Sequence, residues 1–370
     1  MPDPRVTKLA KVLVHYSLRI KPDQKVYVQT SPAAHELNLA FYEEAIKAGA
    51  HTTFSIDGAF YPGAREIFLK YASNKQLDFI SPVTKLLAET YDARMVIEAD
   101  TNTRELAGIN PKRIAHRRKA ETPLFTKMID RIEKKQMNWC LTVYPTDAMA
   151  QEANMSLSDY REFVYEAGML NSRDPVALWK AEAKKQQKLA NWMKGKNKVV
   201  LKGDDIDLTF SIKGRTFIPC AGDQNFPDGE IFTSPVENSV NGWVRFKYPA
   251  IFDGQEIEDI ELWFENGRIV KEKAKRNQEL LTTQLNSDKG ARHLGEWGIG
   301  TNYNIKRFTK NMLFDEKLGG TIHLAMGLGF EEAGGRNKSG LHWDMLCDMS
   351  NSEVMVDGKL FYRNGKPIVK

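Results

Sequence analysis

The chain has 370 residues, 42% of them hydrophobic and 27% charged, with a formal net charge of +5; this is the make-up of an ordinary globular protein long enough for two domains. No run of eighteen apolar residues occurs and no apolar stretch follows Met1-Pro2-Asp3-Pro4-Arg5, which points away from a membrane span or a secretion leader and toward a cytoplasmic protein. Cys140, Cys220 and Cys347 are widely spaced, excluding a disulfide framework and a thiolate zinc finger. The basic clusters Lys112-Arg113, Arg117-Arg118-Lys119 and Lys184-Lys185 are interspersed with acids and read as solvated helix faces, so no nucleic-acid partner is expected.

Residues 6–20 carry apolar side chains at helical spacing and end at Lys21-Pro22-Asp23. A short strand over 25–30, a helix over 37–48 stopped by Gly49 and a second strand over 51–56 then form a βαβ unit, which implies a parallel sheet. Further strands are expected over 93–99 and 139–144, giving an open, Rossmann-like α/β domain. The first strand is followed by Thr30-Ser31-Pro32-Ala33-Ala34, with neither a GxGxxG nor a Walker A lysine, so no nucleotide site is expected there. His35 and His51 have no acidic or cysteine companions at ligand spacing and His15 lies on the first helix, so all three are assigned to structure.

A long helix begins at Asp174-Pro175, with Asp at the cap and Pro in the first turn, and runs through Trp192. The sequence then changes character, placing a boundary at 195–198 and dividing the chain into domains 1–195 and 196–370. The second domain is rich in strands: 199–202 and 206–213 flank Gly203-Asp204-Asp205, 244–247 alternates, and 260–264 and 268–273 are joined by the strong turn Glu265-Asn266-Gly267.

The chemistry concentrates in this half. His323 lies in Thr-Ile-His-Leu-Ala, and His342 and Asp344 are separated by Trp343. In an extended strand these last two point to one face and can reach one metal ion, whereas on a helix they diverge by about 200°. Glu230 follows Asn225-Phe226-Pro227-Asp228-Gly229, and Glu296 lies in the loop-like Leu294-Gly295-Glu296-Trp297-Gly298, both among apolar neighbours that weaken a purely solvated role. Three carboxylates and two imidazoles make a sulfur-free donor set suited to Zn²⁺, Co²⁺ or Mn²⁺. Five donors exceed one tetrahedral ion and suit two ions, which together lower the pKa of water and polarise a carbonyl.

With PDGEIFTSP, GEWGIGTN, GGTIHLAMG and GGRNKSGLHWDM in this order, the chain resembles the thermophilic-type dinuclear metalloaminopeptidases, the leucyl aminopeptidase-like aminopeptidase T group. The resemblance implies an α/β N-terminal domain, an α+β C-terminal metal-binding domain and a homodimer. It also implies two divalent ions on Glu230, Glu296, His323, His342 and Asp344, and release of N-terminal amino acids from peptides with a free N-terminus. Where the family carries a tyrosine seven residues after the first histidine, within Tyr-Pro-Glu, this chain has Phe330-Glu331-Glu332. Glu332 keeps the glutamate of that motif and is a candidate to orient water or bind the substrate amine. Arg336 and Lys338 are either oxyanion or carboxylate partners or solvated loop charges. Two other functions fit the same donors: a homologue that binds metal and peptide without turnover because Phe330 replaces the tyrosine, and a metal-dependent hydrolase or lyase of a small nonpeptide molecule.

Overall fold

A computed structural model describes residues 3–56 and 60–369. The chain divides into two compact units, one running to Val176 and including Gly222–Pro227, the other comprising Ala177–Ala221 and Asp228–Lys370. The sequence puts the boundary at 195–198; the units part some twenty residues earlier. Most of the helix Pro175–Met193 thus belongs to the second unit, because Ala190 and Met193 join its core and the buried Gln186 amide donates to Cys220 O and Thr301 Oγ1.

In the first unit five parallel strands run in the order His51–Ser55, Lys25–Thr30, Ala93–Glu98, Asn138–Val143 and Asn225–Phe226. The expected strands lie within a residue of these bounds. The first helix is shorter than its periodicity suggests: it spans Pro4–Val12 and passes into a π-helical turn, Leu13–Ser17. Asp3 caps it, its carboxylate accepting the Arg5 N–H at 2.9 Å. The helix His35–Lys47 ends before Gly49, whose φ of +82° takes the left-handed turn that glycine adopts without penalty.

The second unit holds an eight-stranded antiparallel sheet and a five-stranded antiparallel sheet. Lys198–Gly203 pairs with Ile206–Ser211, and Ile260–Glu265 with Arg268–Lys273, as the turn residues predict. Asn266 and Gly267 both have positive φ, the twist a two-residue hairpin loop requires.

The five-stranded sheet carries the candidate site. Its order is His342–Asp348, Thr321–Gly327, Leu294–Gly300, Glu230–Thr233 and Ile218–Cys220. Alternation sends Ile322, Leu324 and Met326, Trp297 and Ile299, Trp343, Met345 and Cys347, and Ile231 into a core shared with the larger sheet. The opposite face therefore receives His323, Glu296, His342, Asp344 and Glu230. Among the described residues no helix is long and apolar enough to cross a membrane.

Candidate metal centre

Each of the five predicted donors stands opposite a glycine or alanine on the neighbouring strand. His323 is paired with Gly298, Glu230 with Gly300, Glu296 and Asp344 with Ala325 from either side, and His342 with Gly327. Small residues leave room for the ionisable side chains to converge. At Gly298 a Cβ would lie 1.9 Å from His323 Nε2, so no larger residue fits there without moving the imidazole. Glu296 is not in a loop, as its glycine neighbours suggest. It lies in the fully buried strand Leu294–Gly300, where a bulge shifts the register between Leu294 and Glu296; those glycines serve close strand contacts.

The geometry brings all five together. His323 Nε2 lies 3.1 Å from Glu230 Oε2 and 3.2 Å from Glu296 Oε1. His342 Nε2 lies 3.2 Å from Glu296 Oε2 and 3.6 Å from Asp344 Oδ2. Two groups of potential ligand atoms result, Glu230/Glu296/His323 and Glu296/His342/Asp344, each with its atoms within 4.8 Å of one another. Glu296 belongs to both and turns one oxygen to each histidine.

The chemistry of the donors fits divalent ions. Asp344 Oδ1 and His323 Nδ1 are buried without a hydrogen-bond partner among the described residues, a costly condition for polar atoms unless something else satisfies them. His342 Nδ1 faces Leu328 O at 3.1 Å, which leaves Nε2 as the nitrogen available to an ion. The nitrogen and oxygen donors suit zinc, cobalt or manganese.

Electrostatics tie the same groups together. Burial disfavours charge on His323, yet Glu230 and Glu296 outweigh it and hold the imidazole pKa well above its usual value. His342 is likewise opposed by burial but raised to about 10 by Asp344 and Glu296. Glu296 is raised by burial, but the two histidines pull it down to about 2. Burial pushes Asp344 upward, with His342 opposing.

The sequence reading missed Lys317. Its side chain is 0% exposed, its Nζ donates to Glu230 Oε1 at 2.7 Å, and it also contacts Glu316 and lies 3.9 Å from Asp228. The ammonium fixes one oxygen of Glu230 and leaves the other toward His323. It also fills the space beside Cys220, Asp228 and Glu230, a third group of possible ligand atoms, so the cation position there is already taken. In sequence Asp315-Glu316-Lys317 resembles a solvated turn; the only hints of burial are Phe314 before it and Leu318 after it.

The remaining candidates sit at the edge. The Phe330 ring packs against His342 at 4.9 Å between centroids and edge-on against Phe232 at 5.3 Å. Glu332 is exposed on the 3₁₀ turn Glu331–Ala333 and belongs to neither ligand group. Arg336 is exposed and its backbone N–H donates to Glu237, while Lys338 pairs with Glu331 on the surface. His15 faces Glu44 at 2.7 Å and His51 faces Asp23 at 3.7 Å, both largely exposed; His35 opens the helix His35–Lys47.

Known proteins share this arrangement of the chain. The profile of the thermophilic metalloprotease family (M29) matches residues 3–368. Aminopeptidase 2 of Geobacillus stearothermophilus is 25% identical over 397 residues, covering 95% of this chain and 94% of that protein. Aminopeptidase T of Thermus thermophilus is 24% identical over 401 residues, covering 97% and 95% respectively. The solved structure of wild-type AmpT from Thermus thermophilus aligns with a TM-score of 0.85 at 21% identity, covering 99% of both chains. A 2,5-dihydroxypyridine dioxygenase from Pseudomonas putida KT2440 aligns with a TM-score of 0.57 at 14% identity, over 99% of this chain and 97% of that one. The chain belongs to the thermophilic metalloprotease family M29.

Proposed function

We propose that this protein is a metal-dependent aminopeptidase that releases N-terminal amino acids from peptides and holds two divalent ions on Glu230, Glu296, His323, His342 and Asp344. The observation that carries the dinuclear part is Glu296, whose two oxygens address two different histidines 3.2 Å away. A carboxylate so placed would help to hold both ions. When bound, such a pair of ions lowers the pKa of water and polarises the scissile carbonyl.

The chain's own residues have separate tasks. Lys317 holds Glu230 in one orientation, Leu328 O orients His342, and the core beneath the sheet keeps water from the buried side. Glu332, exposed on the turn that follows Phe330, is the candidate to orient water or bind the substrate amine. The proposal includes a homodimer and a cytoplasmic setting; the three free cysteines suit a reducing compartment.

The likeness to a dioxygenase means that the fold by itself does not choose the reaction. Membership of a metalloprotease family does most to favour peptide hydrolysis. One observation favours a second function, a homologue that binds metal and peptide without turnover: at position 330 a phenyl ring, not a phenol, lies against His342.

Stripping the protein with a chelator and adding back Zn²⁺, Co²⁺ or Mn²⁺ separates the two on aminoacyl chromogenic amides. Metal-restored turnover is expected. Stoichiometric metal binding with no turnover on any aminoacyl group would establish the binding homologue, and turnover confined to nonpeptide substrates would establish a different hydrolase.

A further inference from the structure

The first unit has a sheet face that ordinary packing does not explain. Parallel sheets are normally covered on both sides by apolar contacts. One face here obeys: Val26, Val28, Ala93, Met95 and Ile97 are all 0% exposed. Of the alternate residues of the same two strands Val96 is buried, but Tyr27 and Gln29 on one and Arg94 and Glu98 on the other line a cavity of about 740 Å³. The helices beyond it do not close the space. Leu69, Ala72, Leu77, Leu106, Ile109 and Ile114 form a small core of their own.

The cavity lies where the topology favours a ligand. From Lys25–Thr30 the chain moves outward to His51–Ser55 and returns on the other side to Ala93–Glu98, so the winding reverses between the two strands that line the cavity. Open α/β sheets bind ligands beyond the carboxyl ends of such a strand pair, and Ser31 and Asp100 follow those ends here and line the cavity. A volume of several hundred Å³ suits a small molecule.

We propose that this cavity binds a free amino acid or dipeptide with an apolar side chain. Glu98 and Asp100 are placed to receive the α-ammonium, Arg65 the carboxylate, and Tyr27, Phe68 and Phe79 the side chain. Four acids in the lining offset its four arginines, and that balance together with the missing phosphate loop disfavours a nucleotide. Gln29 is already engaged, accepting the Arg94 Nε–H at 2.6 Å. Glu98 has no hydrogen bond to its carboxylate among the described residues; burial and then Asp100 raise its pKa to about 7, with Arg65 opposing. Arg65 is the cation that both Glu98 and Asp100 feel, and an ammonium ligand supplies a second. The ligand class follows from the lining and stands whether or not the second unit hydrolyses peptides.

Calorimetric titration of the chelator-stripped full chain with L-phenylalanine tests the site. Saturable binding is expected, weakened at least about tenfold, some 1.4 kcal/mol, by Glu98→Gln and by Arg65→Met, and unchanged by His323→Ala. Phenethylamine and phenylpropionate, each lacking one charge, should bind more weakly than the amino acid. Glu98→Gln removes a charge without changing shape, so a native melting curve is expected and the variant remains readable. Absence of saturable binding overturns the proposal. So does binding that survives Glu98→Gln and Arg65→Met but is lost in His323→Ala, which would place it at the histidine cluster instead.

Discussion

The two halves of the candidate centre share Glu296 but are built differently. On one side His323 and Lys317 are 1% and 0% exposed and Glu230 is 7% exposed, and a lysine balances the carboxylates. On the other, His342 is 25% exposed, Asp344 has no lysine partner among the described residues, and the Phe330 ring flanks the imidazole. Burial without compensation is expensive for charged groups, so the closed side is stable only as a fully paired network. The open side tolerates exposure and, under the proposed function, is the side that a substrate would reach.

Glu296→Ala removes the group common to both halves and should have the largest effect. Loss of metal from both positions is expected, read as a fall in bound ions per chain from two toward none, with kcat/KM down by more than about 10²–10³-fold. Retention of one tightly bound ion would mean that the halves are independent and Glu296 is no bridge.

Lys317→Met attacks the closed half alone. It leaves the buried Glu230 and the half-buried Glu316 without their shared cation, a change worth up to roughly 3–5 kcal/mol when one partner of a buried pair is lost. Denaturant unfolding of the chelated variant should show that loss of stability, and replacement by arginine, which keeps the charge, should recover part of it. If the methionine variant is as stable as the parent, Lys317 does not hold the closed half together.

Much of this centre was legible in the sequence, and the reasons differ from residue to residue. His342 and Asp344 could be placed on one face because a two-residue period on an extended strand leaves no alternative. Glu230 and His323 sit beside apolar neighbours whose alternation marks a strand. Glu296 was harder: its glycines imitate a loop, and only the register shows that they stand opposite other strands' side chains, as Gly298 does opposite His323. Lys317 was invisible, since a charged triplet advertises solvent and its burial depends on strands far away in sequence. The boundary near residue 195 followed the change of composition, whereas the units part at Val176 because the long helix packs on the strand-rich core. The parallel sheet was legible from its βαβ rhythm, but its polar face was not, because Gln29 and Glu98 lie at strand ends where polar residues are ordinary.

Proton linkage distinguishes the halves less drastically. The folded pKa of His342, about 10, lies above the unfolded value of about 6.5, and His323 is raised in the same direction. Protonated imidazole therefore stabilises the chelated protein fully below pH 6.5, and at His342 that contribution fades as pH rises through about 10. Metal binding needs neutral imidazole, so uptake near pH 7 to 8 should release roughly two protons, one per histidine, and apparent affinity should rise with pH. Glu296, already ionised with a pKa near 2, releases none. Calorimetry in two buffers of different ionisation heat counts these protons; a pH-independent affinity with no release would show that the histidines are not ligands.

The smallest expected effect belongs to the open half. Phe330→Tyr restores the phenol that the aminopeptidase T resemblance places there. A preorganised donor to a developing oxyanion is worth about 10²–10³ in rate. The ring is packed between Phe232 and His342, a fit made for phenyl, so a gain of only about tenfold in kcat at nearly constant KM is expected. A rise in KM alone would mean that the ring bounds the substrate pocket and takes no part in charge stabilisation. No change in either constant would mean that the open half works through His342 and Asp344, with position 330 serving only to pack the imidazole.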